Sequence, residues 1–179
     1  MSLKELTAVN HAEAETTPFM KAVFAKTLPM NVWVDYTFQK QLWYLSIENN
    51  AYEMGLLNNL KGIERSHLIN KDFLDMDSLY PSKHSYKQST LDYVAYIRKL
   101  IDPTQILAHL YTWHMGDMYG GQMIRKLIDA PHSHLEFENR QELITNLRTM
   151  LTDDMADEAN VAFEWAIKIL HEYDDELGV

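Results

Sequence analysis

The stretch that most constrains this chain is HLYTWHMGDMYGGQMIRKLI, His109 to Ile128. Apolar residues recur at spacings of three and four (Leu110, Trp113, Met118, Met123, Ile124, Leu127, Ile128), the period of an amphipathic helix. Yet Gly116, Gly120 and Gly121 interrupt it, and each glycine costs a helix interior roughly 0.8–1 kcal/mol relative to alanine. There is no proline, and helix-forming residues resume at once, so a loop does not account for the glycines. Gly116 and Gly120 are four apart and share one face. With Gly121 beside them they strip a patch of backbone bare. Two uses fit: another helix packs very closely there, or a flat ligand lies against the backbone. A glycine pair also permits a bend. Asp117 favours the ligand, because a carboxylate in an apolar, aromatic segment is seldom buried unless it is paired or functional.

The rest of the chain reads as helix too. About seven helices and no strand are expected, which makes an all-α, single-domain multi-helix bundle over residues 1–179. Leu3, Leu6, Val9 and Ala12 mark an amphipathic first helix. Thr16 or Thr17 caps the second, with Pro18 in its first position. The longest pattern runs from Met30 towards Gly55, with Phe38, Leu42, Leu45 and Tyr52 as its expected buried side. Residues 58–88 are less regular, broken at Gly62 and Pro81. Ser89 or Thr90 is the expected cap of the next helix, and Asp102 followed by Pro103 opens the glycine segment. Two helices close the chain after a loop, Asp129 to Phe137.

Composition removes several classes of function. With no cysteine, disulfides, zinc ribbons and thiol catalysis are out. A net charge of −10 with scattered basic residues argues against nucleic-acid binding. The first residues carry no apolar run of a signal peptide, and no stretch approaches a membrane span. The expectation is a cytoplasmic monomer with no membrane association.

The glycine segment, AHLYTWHMGDMYGGQMIRKL, resembles the signature of heme oxygenases, in which a Y-T-x-x-x-G-D-x-x-G-G-Q run forms the distal helix. NHAEAETTPFMK resembles the proximal helix of that family, YLSIENNAYE the helix carrying a distal tyrosine and a glutamate four residues on, and DEANVAFEWAIKIL the last helix with its pocket phenylalanine. These stretches fall in family order from Lys4 to beyond Phe163. The resemblance implies a heme oxygenase-like bundle with heme sandwiched between a proximal and a distal helix. It implies the oxidative opening of heme b, both cofactor and substrate, with O2, to biliverdin, carbon monoxide and ferrous iron, the α-meso carbon being the usual site. With no flavin or iron–sulfur motif, electrons must come from a partner, a ferredoxin or another soluble donor. Lys4, Lys21, Lys26, Arg125 and Lys126 are candidates for its docking.

By the same resemblance, His11 is the axial ligand of the heme iron, with Glu15 one turn on to hold its imidazole. Asp117 organises the water that delivers protons to bound dioxygen, and Tyr44 extends that network. Gly116, Gly120 and Gly121 let the distal backbone lie over the heme, beside Thr112. Phe163 lines the pocket. Lys4, two helical turns before His11, and Tyr111 reach the propionates. The chain departs from the family where Gln141 and Thr145 replace two cations, where Ala8 replaces a lysine, and where Trp113 and His114 stand for Arg and Tyr. His114 is expected at the pocket rim or the surface. Two other classes remain: a heme-binding or storage protein without turnover, against which Asp117 speaks, and a thiaminase-like hydrolase or carboxylate-bridged di-metal oxidase of the same fold, disfavoured by the missing cysteine and Glu/His array.

Overall fold

The computed structural model describes all 179 residues. It contains helices and turns and no strand. The helices are α1 (Leu3–Leu6), α2 (Ala8–Glu15), α3 (Pro18–Phe24), α4 (Met30–Glu53), α5 (Ser66–Asp77), α6 (Gln88–Ile97), α7 (Pro103–Leu110), α8 (Gly116–Tyr119), α9 (Gly121–Leu127), α10 (Arg140–Met150), α11 (Ala156–His171) and α12 (Asp174–Leu177). A π-helical turn, Tyr111–Met115, joins α7 to α8. No helix is long and apolar enough to cross a membrane.

Local chemistry sets several boundaries. Thr17 accepts a hydrogen bond from the Met20 amide at the start of α3, with Pro18 in the first turn. Asp102 accepts from the Thr104 amide at 2.9 Å, and Pro103 opens α7. Beyond α4, Gly55 takes a left-handed conformation (φ 71°). The expected cap of α6 lies elsewhere. Ser89 and Thr90 are inside the helix, and Lys87 precedes it in extended backbone. The reason is Glu172, just past α11, whose carboxylate accepts both the amide and the hydroxyl of Ser89.

The long α4 forms the axis of the bundle, packed against α5, α6 and α7, while α11 covers α2, α7 and α6. One cluster of buried apolar side chains runs from Leu3 to Tyr173. The buried side of α4 differs from the expected one. Phe38 and Leu42 are half-buried, but Leu45 is exposed and Tyr52 is 75% exposed, whereas Trp33, Thr37, Lys40, Tyr44, Ile47, Glu48 and Ala51 are buried. Three of these seven are polar, and a pattern based on apolar residues alone misses them. The first helix is also two. It breaks at Thr7, whose φ and ψ (−106°, 1°) leave the helical region and whose hydroxyl bonds back to the Leu3 carbonyl at 2.9 Å.

Candidate functional site

The glycine segment follows one right-handed helical path, altered at two places. The π turn adds a residue to the turn before Gly116 and so rotates α8 relative to α7. Such turns recur at functional sites. At Gly120 the backbone stays helical (φ −65°, ψ −34°), but α8 ends and α9 begins.

The three glycines divide into two kinds. A Cβ on Gly116 would have no atom within 4 Å, and one on Gly120 would meet only the Gly116 carbonyl, at 3.4 Å. Both residues are exposed, so no helix packs on them. Gly121 is buried, and a Cβ there would lie 2.9 Å from Leu135 Cδ2 and 3.5 Å from Asp117 Cβ. Close packing therefore accounts for Gly121. It does not account for Gly116 and Gly120, which leave a bare, open strip of backbone.

Behind that strip sits Asp117, 8% exposed. Its carboxylate accepts from Lys40 Nζ at 3.0 and 2.9 Å and from the Tyr44 hydroxyl at 2.7 Å. Burial pushes its pKa up, but the charges of Lys40 and His134 and the hydrogen bonds from Tyr44 and Lys40 outweigh this and leave it below the ordinary value. Burial, followed by the Asp117 charge, raises Tyr44 well above a normal phenol, so Tyr44 is the donor. Lys40 and Tyr44 are one turn apart on α4. The sequence reading does not single out Lys40, because a lone lysine in a helix reads as solvated. The available signal is its place four residues before Tyr44.

His114 is fully buried rather than at a rim or surface. Its Nε2 lies 2.9 Å from Glu48 Oε1 and its ring 4.6 Å from that of Tyr44. The Glu48 carboxylate also accepts the Arg65 amide at 2.6 Å and the Ser66 amide at 3.2 Å, at the start of α5. Burial would raise Glu48, but bonds from His114 and these amides bring it below the ordinary carboxylate value. The histidine is buried because this clamp needs a further donor. Trp113 is likewise internal, donating from Nε1 to the Tyr93 hydroxyl at 2.7 Å.

On the other side, α2 buries none of its residues. The His11 side chain is 56% exposed, with Nδ1 3.7 Å from Glu15 Oε2. Its ring meets buried Phe163 of α11 edge-on, centroids 5.6 Å apart. Thr7, at the α1–α2 junction, lies 3.3 Å from the Tyr111 hydroxyl, which ties the N-terminal segment to the π turn. Thr112 turns away: its hydroxyl bonds to the Ala108 carbonyl at 3.1 Å and faces Ala159 of α11. Lys4 is exposed on α1, a separate helix from His11. Gln141 and Thr145 are exposed, while Arg140 reaches the Met118 carbonyl at 2.8 Å and Arg148 the Tyr119 hydroxyl at 2.5 Å. Two arginines of α10 thus fasten α8.

The comparisons bear on the family and the fold. The chain is 24% identical over 200 residues to a heme oxygenase of Guillardia theta, covering 96% of this chain and 84% of that protein. It superposes on heme oxygenase-1 of the cyanobacterium Synechocystis, solved in complex with heme, with a TM-score of 0.84 at 21% identity, covering 98% of this chain and 91% of that one. It superposes on a heme oxygenase from Leptospira interrogans with a TM-score of 0.80 at 23% identity, covering 96% and 100%. The family model described as heme oxygenase matches residues 1–142. This match over most of the chain shows that it belongs to the heme oxygenase family of oxidoreductases.

Proposed function

We propose that this chain is a catalytic heme oxygenase, opening heme at the α-meso carbon to biliverdin, carbon monoxide and ferrous iron with O2 and electrons from a soluble donor. The observation that carries the reading is the buried, charged Asp117 on the same short helical segment as the open backbone of Gly116 and Gly120. A protein that only stores heme has no use for a buried carboxylate kept ionised at that place.

The residues present suit heme. A half-exposed imidazole has its Nδ1 towards Glu15 and its Nε2 free, and an aromatic edge supports the ring. The glycines opposite leave room where side chains would stand. Bound heme would supply the iron at which O2 is reduced and would itself be the ring that is opened. His11 would hold that iron, and Phe163 would keep the imidazole upright. Glu15 would orient His11 through Nδ1. Gly116 and Gly120 would admit the flat face to contact with the backbone. Asp117 has one lone-pair position left on Oδ1 after Lys40 and Tyr44 are counted, so it would hold a single water towards the strip. Tyr44 would keep that carboxylate in place.

Lys4 and Tyr111 are proposed to meet the propionates. Lys4, Lys21, Lys26 and Lys126, with Arg125, which also pairs with Glu136 at 3.3 Å, are proposed to receive an acidic donor such as a ferredoxin. We place the protein in the cytoplasm as a monomer. The test is to add hemin to the purified protein, supply ferredoxin, its reductase and NADPH, and record the visible spectrum. Loss of the Soret band with growth of a biliverdin band supports turnover. A stable Soret band under the same reduction identifies a binder instead.

A further inference from the structure

The glycine segment brings no cation of its own to Asp117. At position 113 stands an indole that points to Tyr93, and at 114 an imidazole that serves Glu48. The positive charge comes from another helix. Lys40 is 4% exposed, and two of its three N–H groups reach Asp117, one to each oxygen. Its ammonium also lies 4.9 Å from the centre of the Tyr44 ring. Lys40, Tyr44 and Asp117 form a closed triad between α4 and α8.

The other ionisable groups near Asp117 are few. Tyr36 and Tyr44 on α4 are buried phenols, Arg65 at the start of α5 is committed to the carbonyls of Ile63, Glu64, Gly62 and Glu136, and His134 in the turn before α10 is held by Asp72 at 2.7 Å. Burial keeps His134 below the usual imidazole value. Lys40 is therefore the one cation in direct contact with Asp117.

We propose that Lys40 is a positioning residue for heme opening: its ammonium fixes Asp117 as a carboxylate and, with Tyr44, holds it in one orientation beside the glycine strip. The reactive role rests on the function proposed above; the fixing of charge does not. Removing one partner of a buried ion pair leaves the other charge uncompensated, whereas replacing both by neutral groups is tolerated. Lys40→Met should therefore raise the Asp117 pKa above its unfolded value, because burial then acts on the carboxylate without the opposing ammonium. Lys40→Met/Asp117→Asn should fold well and turn heme over no faster than Asp117→Asn.

The decisive measurement needs no heme. Stability is measured by urea unfolding from pH 8 to pH 4 for wild type, Lys40→Met, Lys40→Arg and the double variant. With the folded pKa of Asp117 raised above its unfolded value, the folded state binds the extra proton, so Lys40→Met gains stability as pH falls. The gain approaches about tenfold in the unfolding constant per pH unit where the folded state is protonated and the unfolded one is not. Wild type, Lys40→Arg and the double variant lack this slope. Should Lys40→Met not fold at neutral pH, recovery on acidification towards pH 4 together with a folded double variant at pH 7.5 supports the same conclusion. In turnover, Lys40→Met should bind hemin and show the acid limb of kcat moved to higher pH, while Lys40→Arg keeps the wild-type limb. A Lys40→Met slope equal to that of the double variant, or an unmoved acid limb, overturns the proposal. A wild type that binds hemin without releasing biliverdin overturns the function while the slope still supports the charge assignment.

Discussion

Gly116→Ala separates two roles that glycine could serve in the distal segment. Gly116 is exposed and already helical (φ −55°, ψ −46°), and an added Cβ meets nothing within 4 Å. The substitution therefore removes a helix penalty of about 0.8–1 kcal/mol without a clash. For a domain of this size that raises the melting temperature by about 2–4 °C. Gly121→Ala should have the opposite sign. Its Cβ would stand 2.9 Å from Leu135 Cδ2, so the leucine must move, at a cost of about 1–3 kcal/mol. The assay is calorimetry without hemin, followed by hemin titration and biliverdin yield per folded molecule. Gly116→Ala should be more stable yet bind hemin more weakly and turn it over more slowly. A more stable Gly116→Ala with unchanged hemin affinity and turnover would refute the close approach of ligand to this backbone. A lower melting temperature would show that the π turn itself requires glycine there.

His11→Ala should lose the iron ligand and with it turnover, with added imidazole restoring part of the Soret spectrum; an unchanged spectrum would move the ligand to another histidine. Asp117→Ala should keep hemin binding but lose most biliverdin per folded molecule, with Asp117→Asn retaining more, and a normal yield in the alanine variant counts against the water-holding role. A pH effect arises from Glu158, which accepts from Tyr96 at 2.6 Å, Gln105 at 2.9 Å and His109 at 2.9 Å. Burial would raise its pKa, but these bonds hold it at about 2, below its ordinary 4.5, and burial holds His109 below 6.5. Both folded values are depressed, so the unfolded chain takes up protons first as pH falls. The contribution is complete above pH 6.5, declines first through His109 and then between pH 4.5 and about 2 through Glu158. Glu158→Gln should flatten the lower part of urea-unfolding stability against pH, and a profile identical to wild type would exclude this network as its source.

The sequence is most legible where a residue type has one local use. Thr17 with Pro18, and Asp102 with Pro103, sit at helix starts as their hydrogen-bonding chemistry requires. The glycine segment stands out because its residues contradict helix propensity. The buried stripe of α4 is illegible for a physical reason: Lys40 and Glu48 are interior only because Asp117, His114 and the amides of α5 neutralise or bond them. A pairing between residues 77 positions apart leaves no trace in local periodicity. The same holds for His114, whose burial depends on Glu48, and for the break at Thr7, which answers to Tyr111 on a distant segment.

The helix that carries His11 has an energetic consequence. Because α2 buries none of its own side chains, little hydrophobic free energy opposes its local opening. Its order is then linked to occupancy: a ligand held at His11 stabilises the closed arrangement by an amount that grows with the logarithm of ligand concentration over Kd. In the proposed reaction, opening the ring and releasing iron would remove that contribution. The helix would then loosen at completion and favour product release, and protease resistance within Ala8–Glu15 should rise with hemin and fall again with turnover.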